Sequence, residues 1–239
     1  MRRAVVRRCK KMVPAGVRLA LRELWKEIKI ARIVRKAAPK FKALWGKRGL
    51  RIQLGCGADL KPGWVNIDLI TKLPVIDWDA TPDTLFINHD LRRGLPLPGG
   101  TCAMIYSSHF FEHLGYNDAV ALLHDCYRAL QPGGVFRAAL PDFRNVFKAY
   151  LRGDLDHFTL LDTFNLVPQL KPGTKTLTDY VSYCVYQHCE HKWIMDEEKM
   201  IVLLRDIGFK SPAVSEFREN VDPGSELRRS GSFYVEATK

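Results

Sequence analysis

Three side chains that could carry out acid–base chemistry follow a short apolar segment in the middle of the chain. His109 and Glu112 are three positions apart, and His109 and His113 are four apart. If a helix begins here, all three side chains share one face. Such a set can remove the proton of a hydroxyl group as a general base. It can also hold a divalent ion that lowers the pKa of that hydroxyl.

Two more candidates lie farther along the chain. His191 could join the three side chains as a fourth metal ligand. Alternatively, either His109 or His191 could act as a base without a metal. Asp142 follows a predicted strand, where it could be catalytic or simply a turn residue. Alternatively, these residues could have structural roles only, capping a helix or packing against it.

A glycine-rich turn and two aspartates form a second set of candidates. The turn at 54–57 (LGCG) follows an apolar segment directly, and Asp68 ends the next one. Glycines allow the backbone to approach a ligand closely, and an acid on the neighbouring strand can accept hydrogen bonds from ribose hydroxyls. Asp90 and Leu91 follow a third segment and would meet an adenine edge. The pattern predicts a ligand containing a nucleoside, bound at the carboxyl edge of a parallel sheet.

Alternating strands and helices must position these residues, which indicates a parallel sheet. The predicted strands are 50–54, 64–68, 85–88, 103–108, 135–140, 214–217 and 232–238, and the predicted helices of this part are 116–130 and 196–207. Only nine residues, 55–63, separate the first two strands, whereas a parallel crossover usually needs a dozen or more. The first helix of a doubly wound fold must therefore be a single turn or missing, which argues against a dinucleotide.

Several of these motifs occur together in the order typical of a known family. The run LGCG…GWVNIDL…HDLRRGLPLP…YSSHFFEHL…QPGG…LPD…HKW…LLRDIGF resembles the class I S-adenosylmethionine-dependent methyltransferases. It is most similar to the bacterial group often found with cell-surface polysaccharide genes, and the resemblance covers roughly residues 50–239. It implies an α/β fold with a doubly wound, Rossmann-like sheet of seven strands, the last of them antiparallel.

The resemblance also implies a set of cofactor contacts. The turn at 54–57 would lie along the methionine part of S-adenosylmethionine, Asp68 would hold the ribose, and Asp90 with Leu91 would meet the adenine. The expected cofactor-binding residues are Leu54, Gly55, Cys56, Gly57, Asp68, Leu69, Asp90, Leu91, Ser108 and His109.

Two metal-using branches of the same superfamily carry a Glu-x-x-Glu-His motif at the place of residues 109–113. They are the ubiquinone-pathway O-methyltransferases and the small-RNA 3′-terminal 2′-O-methyltransferases. The latter add a downstream His followed by Lys, which His191-Lys192 resembles. In this chain His109 replaces the first Glu of the motif. The resemblance leaves a divalent metal on the three histidines and Glu112 as an alternative that we favour less than transfer without a metal.

Residues 1–48 form a basic extension that precedes a predicted methyltransferase domain at 49–239. The extension carries 17 Lys and Arg against two acids, whereas the rest of the chain carries 20 against 24. Residues 16–37 have the period of an amphipathic helix that Pro39 would end. The apolar stripe of this helix could pack on the domain, or lie on an anionic membrane surface. Binding to RNA phosphates is the least favoured reading, because the body that would hold an acceptor is acidic.

Residues 143–190 form an aromatic-rich insertion, which the resemblance places as a lid over the mouth of the acceptor site. Its eight Phe and Tyr residues could stack on a sugar or an aromatic acceptor. They could also bury one another in a small core, and we expect most of them to do so.

These observations predict an enzyme that transfers a methyl group to a hydroxyl group. The resemblance favours a sugar or glycan acceptor in polysaccharide biosynthesis. A small aromatic metabolite, an RNA 3′ end and a non-catalytic cofactor-binding role are the alternatives. Six scattered cysteines without a CxxC pair suit a reducing cytoplasm, and no apolar run reaches the roughly 18 residues that span a bilayer. We expect a cytoplasmic protein, with peripheral contact of residues 16–37 to the inner membrane face as an option.

Overall fold

A seven-stranded mixed sheet forms the centre of the molecule. The computed structural model describes residues 13–71, 83–168 and 175–239. The strands are β1 (Leu50–Leu54), β2 (Val65–Asp68), β3 (Leu85–Asn88), β4 (Cys102–Ser108), β5 (Leu130–Pro141), β6 (Lys210–Ser215) and β7 (Ser232–Thr238). They lie in the order β3-β2-β1-β4-β5-β7-β6. The first five strands run parallel, and β7 is antiparallel to both β5 and β6. The predicted α/β, Rossmann-like sheet with an antiparallel last strand is confirmed.

Helices cover the sheet and connect its strands. They are α1 (Ala15–Lys42), α2 (Tyr116–Ala129), α3 (Phe143–Arg152), α4 (Thr159–Thr163), α5 (Leu177–Tyr186), α6 (Glu197–Ile207) and α7 (Glu226–Ser230). α2 packs against β5 and against α6. Ile52, Ile67 and Ile105 of the sheet are fully buried, which explains why the parallel strands read as short continuous apolar runs.

The connection between β1 and β2 contains no helix, as the nine-residue spacing predicts. Gly55 and Gly57 both adopt positive φ angles, of 64° and 53°, which glycine tolerates at little cost. The chain therefore turns sharply at the end of β1, and the backbone of the turn faces the carboxyl edge of the sheet without a covering helix.

Two strand predictions need correction. The Pro132-Gly133-Gly134 run does not separate a helix from a later strand, because β5 already begins at Leu130. The pairing with β4 shifts between Cys102 and Met104, so the run forms an irregularity inside one strand. β6 begins at Lys210, earlier than the predicted strand at 214–217, because its pairing with β7 includes residues on both sides of Pro212.

The long N-terminal helix α1 consists of two differently packed halves. The buried residues of α1 are Ile30, Ala37 and Phe41, and the helix contacts β3. By contrast, every residue from 14 to 26 is exposed. Of the two readings left open for the apolar stripe, packing on the domain is thus wrong for residues 15 to 26. Pro39 does not end the helix, which runs on to Lys42 because burial of the last turn compensates for the missing N–H.

The predicted lid folds into three short helices, α3 to α5, with a small core of its own. Phe158 and Tyr180 stack with ring centroids 5.0 Å apart, and Ala149 and Val167 are buried beside them. Half of the eight aromatic residues are nevertheless exposed, so the expectation that most are buried is wrong. The exposed ones are Phe147, Tyr150, Phe164 and Tyr186. Residues 169–174 of the lid and 1–12 of the basic extension lie outside the described residues.

Candidate active site

The carboxyl ends of β1 and β2 bring the glycine turn and Asp68 together. The Asp68 carboxylate accepts hydrogen bonds from the backbone N–H of Gly57 and of Leu69, both at 2.6 Å. Open space lies where a Cβ of Gly57 would stand. A ligand can therefore approach the backbone at this position, beside a carboxylate able to accept hydrogen bonds from hydroxyls. These features fit a ribose-containing cofactor such as S-adenosylmethionine.

The other residues of the turn have structural roles. The side chains of Leu54 and Cys56 are buried in the core, and burial raises the pKa of the Cys56 thiol. A Cβ at Gly55 would overlap the ring of Phe110. Only the backbone of these three residues is available to a ligand, and Gly55 is required because Phe110 packs directly against it.

Asp90 and Leu91 lie after β3, at the predicted place. Both are buried, and both carboxylate oxygens of Asp90 accept hydrogen bonds from the Arg92 guanidinium at 2.7 to 3.1 Å. Burial raises the pKa of Asp90, but the hydrogen bonds from Arg92 outweigh it, so the pKa lies below its ordinary value. The Asp90 carboxylate thus holds its own turn, and its predicted contact with adenine stays a prediction.

His109 follows β4 in a strained backbone conformation. Its φ is 47°, in the left-handed region that costs a non-glycine residue about 1–2 kcal/mol. Nε2 lies 2.7 Å from the Ser232 hydroxyl, which itself donates to the carbonyl of Arg228. Because that hydroxyl proton is already used, the ring must donate from Nε2, and the lone pair is on Nδ1, 3.7 Å from Glu112 Oε1.

Glu112 is fully buried without a hydrogen-bond partner among the described residues. Neither carboxylate oxygen has a hydrogen-bond partner, and the exposed fraction of the residue is 0%, so solvent does not reach it. Burial is the main cause that raises the pKa of Glu112, to about 8. Since a buried unpaired carboxylate is costly, the side chain is mostly protonated at neutral pH when nothing else binds it.

His191 is brought to Glu112 across 79 positions of sequence. The backbone N–H of Lys192 donates to the carbonyl of Glu112 at 2.8 Å, and the rings of His191 and His113 meet edge to face at 5.0 Å. His191 Nδ1 lies 2.9 Å from the Cys184 carbonyl. A carbonyl only accepts, so Nδ1 carries the proton and Nε2 carries the lone pair.

The lone pair of His191 is unpaired in the part of the chain that the structure describes. Nε2 is buried without a hydrogen-bond partner. Burial, and then the nearby His113, lower the pKa of His191, and burial likewise lowers the pKa of His109 and of His113. All three rings are therefore neutral near pH 7 and suited to accept a proton or to bind a metal.

Three of the four predicted metal ligands form a compact group. The ligand atoms of Glu112, His113 and His191 all lie within 4.8 Å of one another. His109 does not belong to this group, and its Nε2 is held by Ser232. The predicted four-residue set is thus brought together only in part.

A cavity of about 410 Å³ lies between the lid and the carboxyl ends of β4 and β5. His109, Asp142 and His191 line it, so three of the five predicted catalytic residues face one space. Much of the remaining wall is apolar, with Val146, Leu160, Leu161 and Leu166 from the lid side. The cavity is suited to an acceptor with an apolar body.

Asp142 and Ser108 occupy supporting positions. The Asp142 carboxylate accepts hydrogen bonds from the backbone and the side-chain amide of Asn145, at 3.0 and 2.6 Å. It thereby caps α3, which favours the structural reading of this residue. Ser108 ends β4 beside Ala139 of β5, next to His109 at the predicted edge of the sheet.

Two residues of the site were not predicted from the sequence. Ser232 positions His109, and Arg228 lines the cavity. Ser232 begins β7 and pairs with Pro141, and Arg228 lies in the short helix α7 just before that strand. An antiparallel strand begins at the edge where its parallel neighbours end, so the residues before the last strand could have been included on topological grounds.

Known proteins match both the central region and the fold. Residues 53–138 match a family model described as a methyltransferase domain. An S-adenosylmethionine-dependent methyltransferase from Mesorhizobium loti aligns with 84% of this chain and 96% of its own, at 19% identity and a TM-score of 0.50. A second, from Archaeoglobus fulgidus, aligns with 90% and 94% of the two chains at 17% identity and a TM-score of 0.47.

A third similar structure is Haemonchus contortus phosphoethanolamine N-methyltransferase 2, solved with S-adenosyl-L-methionine. It aligns with 84% of this chain and 52% of its own, at 14% identity and a TM-score of 0.47. No curated protein sequence matches the chain. The fold is that of the class I methyltransferases, and the family match supports a methyltransferase domain with S-adenosylmethionine as its cofactor.

Proposed function

We propose that this protein is an S-adenosylmethionine-dependent methyltransferase that methylates a hydroxyl group in the cavity beneath the lid. The observation that carries the proposal is the placement of this cavity at the same sheet edge as the Gly57–Asp68 site. β1, which ends at the glycine turn, pairs directly with β4, which His109 follows at the cavity wall, so the two halves of the site adjoin. When bound, the cofactor supplies the methyl group.

The chain's own residues would prepare the acceptor. His191 is neutral and has its lone pair on Nε2, so it can take the hydroxyl proton as a general base. His109 is less suited, because Ser232 fixes its Nε2 and its Nδ1 faces Glu112. His109 instead positions the start of β7 against the end of β4. The lid excludes water from the acceptor.

The acceptor class that we propose is a sugar or glycan hydroxyl, in line with the resemblance to the polysaccharide-associated group. The apolar lining of the cavity favours a second candidate, a hydroxyl on a small aromatic metabolite. Nothing about the described site favours an RNA 3′ end. The experiment that separates the candidates is a transfer screen with labelled S-adenosylmethionine against sugars, sugar nucleotides, phenols and short RNAs.

The screen is best run on three variants in parallel. We expect His191→Ala to reduce transfer by about 100-fold or more, which is typical for loss of a general base, while cofactor binding measured by calorimetry is retained. His109→Ala should reduce transfer less. His124→Ala, at an exposed position of α2, is the matched control. Undetectable binding of S-adenosylmethionine would overturn the proposal, and binding without any transfer would favour a non-catalytic role.

A divalent metal is a second candidate for the means of proton removal. The specific observation in its favour is the group of Glu112, His113 and His191, whose nitrogen and oxygen donors suit a transition metal or Zn²⁺. Metal binding would also explain two buried polar groups without partners. If transfer is unchanged after dialysis against EDTA, the metal alternative is wrong.

We also propose that the exposed half of α1 lies on an anionic membrane surface at the cytoplasmic face. Leu21, Leu24 and Trp25 expose 47%, 55% and 65% of their surface, next to Arg22 and Lys26. An exposed apolar stripe flanked by cations is typical of interfacial helices. None of the described helices is long and apolar enough to span a bilayer.

Sedimentation with vesicles tests this surface. We expect the protein to sediment with vesicles that contain phosphatidylserine and to stay in solution with purely zwitterionic ones. Changing Leu21, Leu24 and Trp25 together to Ser should abolish sedimentation with little change in the melting temperature, since about half of the surface of each residue is already exposed. Leu151→Ser is the control, because Leu151 is 83% exposed on the lid. Equal sedimentation of the triple variant would contradict the proposal.

A further inference from the structure

Arg228 places a positive charge at the wall of the cavity. It lies in the five-residue helix α7, and the cavity is lined by Arg228 together with its neighbours Leu227, Ser230 and Gly231. No described residue forms a salt bridge with its guanidinium. Burial lowers the pKa of this guanidinium below its ordinary value.

The acidic groups around the cavity do not neutralise this charge. Glu112 does not line the cavity. The Asp142 carboxylate already caps α3 through its hydrogen bonds to Asn145. A guanidinium stays charged in proteins, and a partly buried one is stabilised by an anion that accepts two parallel hydrogen bonds. The cavity therefore has a cation and lacks a matching anion among the described residues.

We propose that Arg228 binds an anionic group, a carboxylate or a phosphate, on the methyl acceptor. This inference rests on the proposed function and narrows its substrate class to acidic hydroxyl compounds, such as a sugar acid, a phosphorylated sugar or a hydroxylated aromatic acid. The apolar lid residues would cover the body of the acceptor, and Arg228 would orient it from the β7 side.

The position of the cavity favours the acceptor over the cofactor as the source of the anion. The methionine carboxylate of S-adenosylmethionine has the same chemistry. However, neither the glycine turn at 54–57 nor Asp68 lines the cavity, whereas the lid residues do. Arg228 thus shares its space with the elements expected to cover the acceptor, and the test must measure cofactor affinity separately.

Matched acceptor pairs test the inference. One pair is 4-hydroxybenzoate and 4-hydroxybenzamide, and the other is glucuronate and glucose. With labelled S-adenosylmethionine, we expect kcat/KM for the anionic member to exceed that for the neutral member by about tenfold or more. Arg228→Met should reduce kcat/KM for the anionic member by about 10- to 100-fold, as expected for a lost charged hydrogen bond, and change the neutral member little. Arg228→Lys should restore part of the loss.

Arg229→Met is the matched control, since Arg229 is an exposed neighbour whose guanidinium lies 4.9 Å from the Phe217 ring centroid. An equal loss of kcat/KM for both members of a pair in Arg228→Met would overturn the inference, and so would a large loss of cofactor affinity measured by calorimetry.

If none of the four compounds is methylated, a binding titration of the protein saturated with S-adenosylhomocysteine replaces the kinetic test. Binding of 4-hydroxybenzoate or inorganic phosphate that is lost in Arg228→Met supports the inference, and no such binding overturns it. Failure of the wild-type protein to bind the cofactor overturns the proposed function instead.

Discussion

At the scale of single residues, the site depends on a few side chains whose protonation is set by burial and, for two histidines, by one hydrogen-bond partner. Ser232 sets the tautomer of His109, and the Cys184 carbonyl sets that of His191. Glu112 has no such partner among the described residues. The identity of the proton-accepting atom is therefore a property of the partners rather than of the histidines themselves.

The cofactor site makes the first prediction at this scale. Asp68→Asn should weaken binding of S-adenosylmethionine by about 10- to 100-fold, because a charged acceptor of ribose hydroxyls becomes a neutral one. The Gly57 turn also loses part of its support. Calorimetric titration measures the effect, and Asp83→Asn, an exposed change before β3, should leave the affinity as it is. Unchanged affinity in Asp68→Asn would remove this residue from the cofactor site.

Glu112 makes the second prediction, on the pH dependence of stability. Its pKa in the folded protein is about 8, above the ordinary value of a glutamate in the unfolded chain. Between these two pKa values, the folded state holds a proton on Glu112 that the unfolded state has lost. This proton stabilises the folded state fully below the pKa that Glu112 has in the unfolded chain. The stabilisation is lost as the pH rises through about 8. The slope is at most about 1.4 kcal/mol per pH unit.

The difference in the free energy of unfolding between the wild type and Glu112→Gln isolates the effect of Glu112 ionisation. Between pH 5 and pH 8 in EDTA, the free energy of unfolding of the wild type should fall relative to that of Glu112→Gln, which cannot ionise. The histidines of the site contribute with the opposite sign, since their pKa values are lowered, but equally in both proteins. Parallel stability curves would show that the pKa of Glu112 is not raised in the folded protein.

At the scale of elements, a buried ion-pair network fastens the end of the sheet. Arg137 of β5 is fully buried and pairs with Asp222 and with Glu236 of β7. It also donates to the Ser215 hydroxyl at the end of β6. Side chains from three elements thus converge on one guanidinium, which ties the antiparallel strands to the parallel part of the sheet that bears the site.

Loss of the Arg137 guanidinium should markedly lower the free energy of unfolding. Arg137→Met leaves Asp222 buried without its partner, and removing one member of a buried pair typically costs about 3–5 kcal/mol. Urea unfolding measures the change, with Arg205→Met on the exposed side of α6 as the control. The double variant Arg137→Met/Asp222→Leu should recover part of the loss, since it removes the orphaned charge. A small effect of Arg137→Met alone would contradict the role assigned to the network.

At the scale of the whole molecule, charge is divided between two parts of the chain. Residues 1–48 carry the positive excess, and the rest is slightly acidic. Membrane association through α1 should therefore weaken with salt. We expect sedimentation with phosphatidylserine vesicles to decrease markedly between 0.05 and 0.5 M NaCl, because these concentrations span the range over which surface charges become screened. Salt-independent sedimentation would indicate an apolar rather than an electrostatic contact.

Much of this molecule could be predicted from the sequence because its signals are local. The apolar runs of β1 to β4, the glycines at the end of β1, the short crossover and the Gly208 cap of α6 depend on neighbours within a few residues. The nucleoside site follows from two such signals on adjacent parallel strands.

Only the tertiary structure decided which distant side chains meet. It brought His191 to Glu112, placed Ser232 against His109 and left Arg228 unpaired at the cavity. It also showed that residues 15 to 26 of α1 are exposed, although their stripe resembles a core face. Burial and pairing between residues so far apart in sequence result from how the elements pack, which the local pattern of residues does not encode. The cofactor could therefore be predicted from the chain, whereas the proposed proton acceptor and the proposed anion site rest on contacts that only the fold shows.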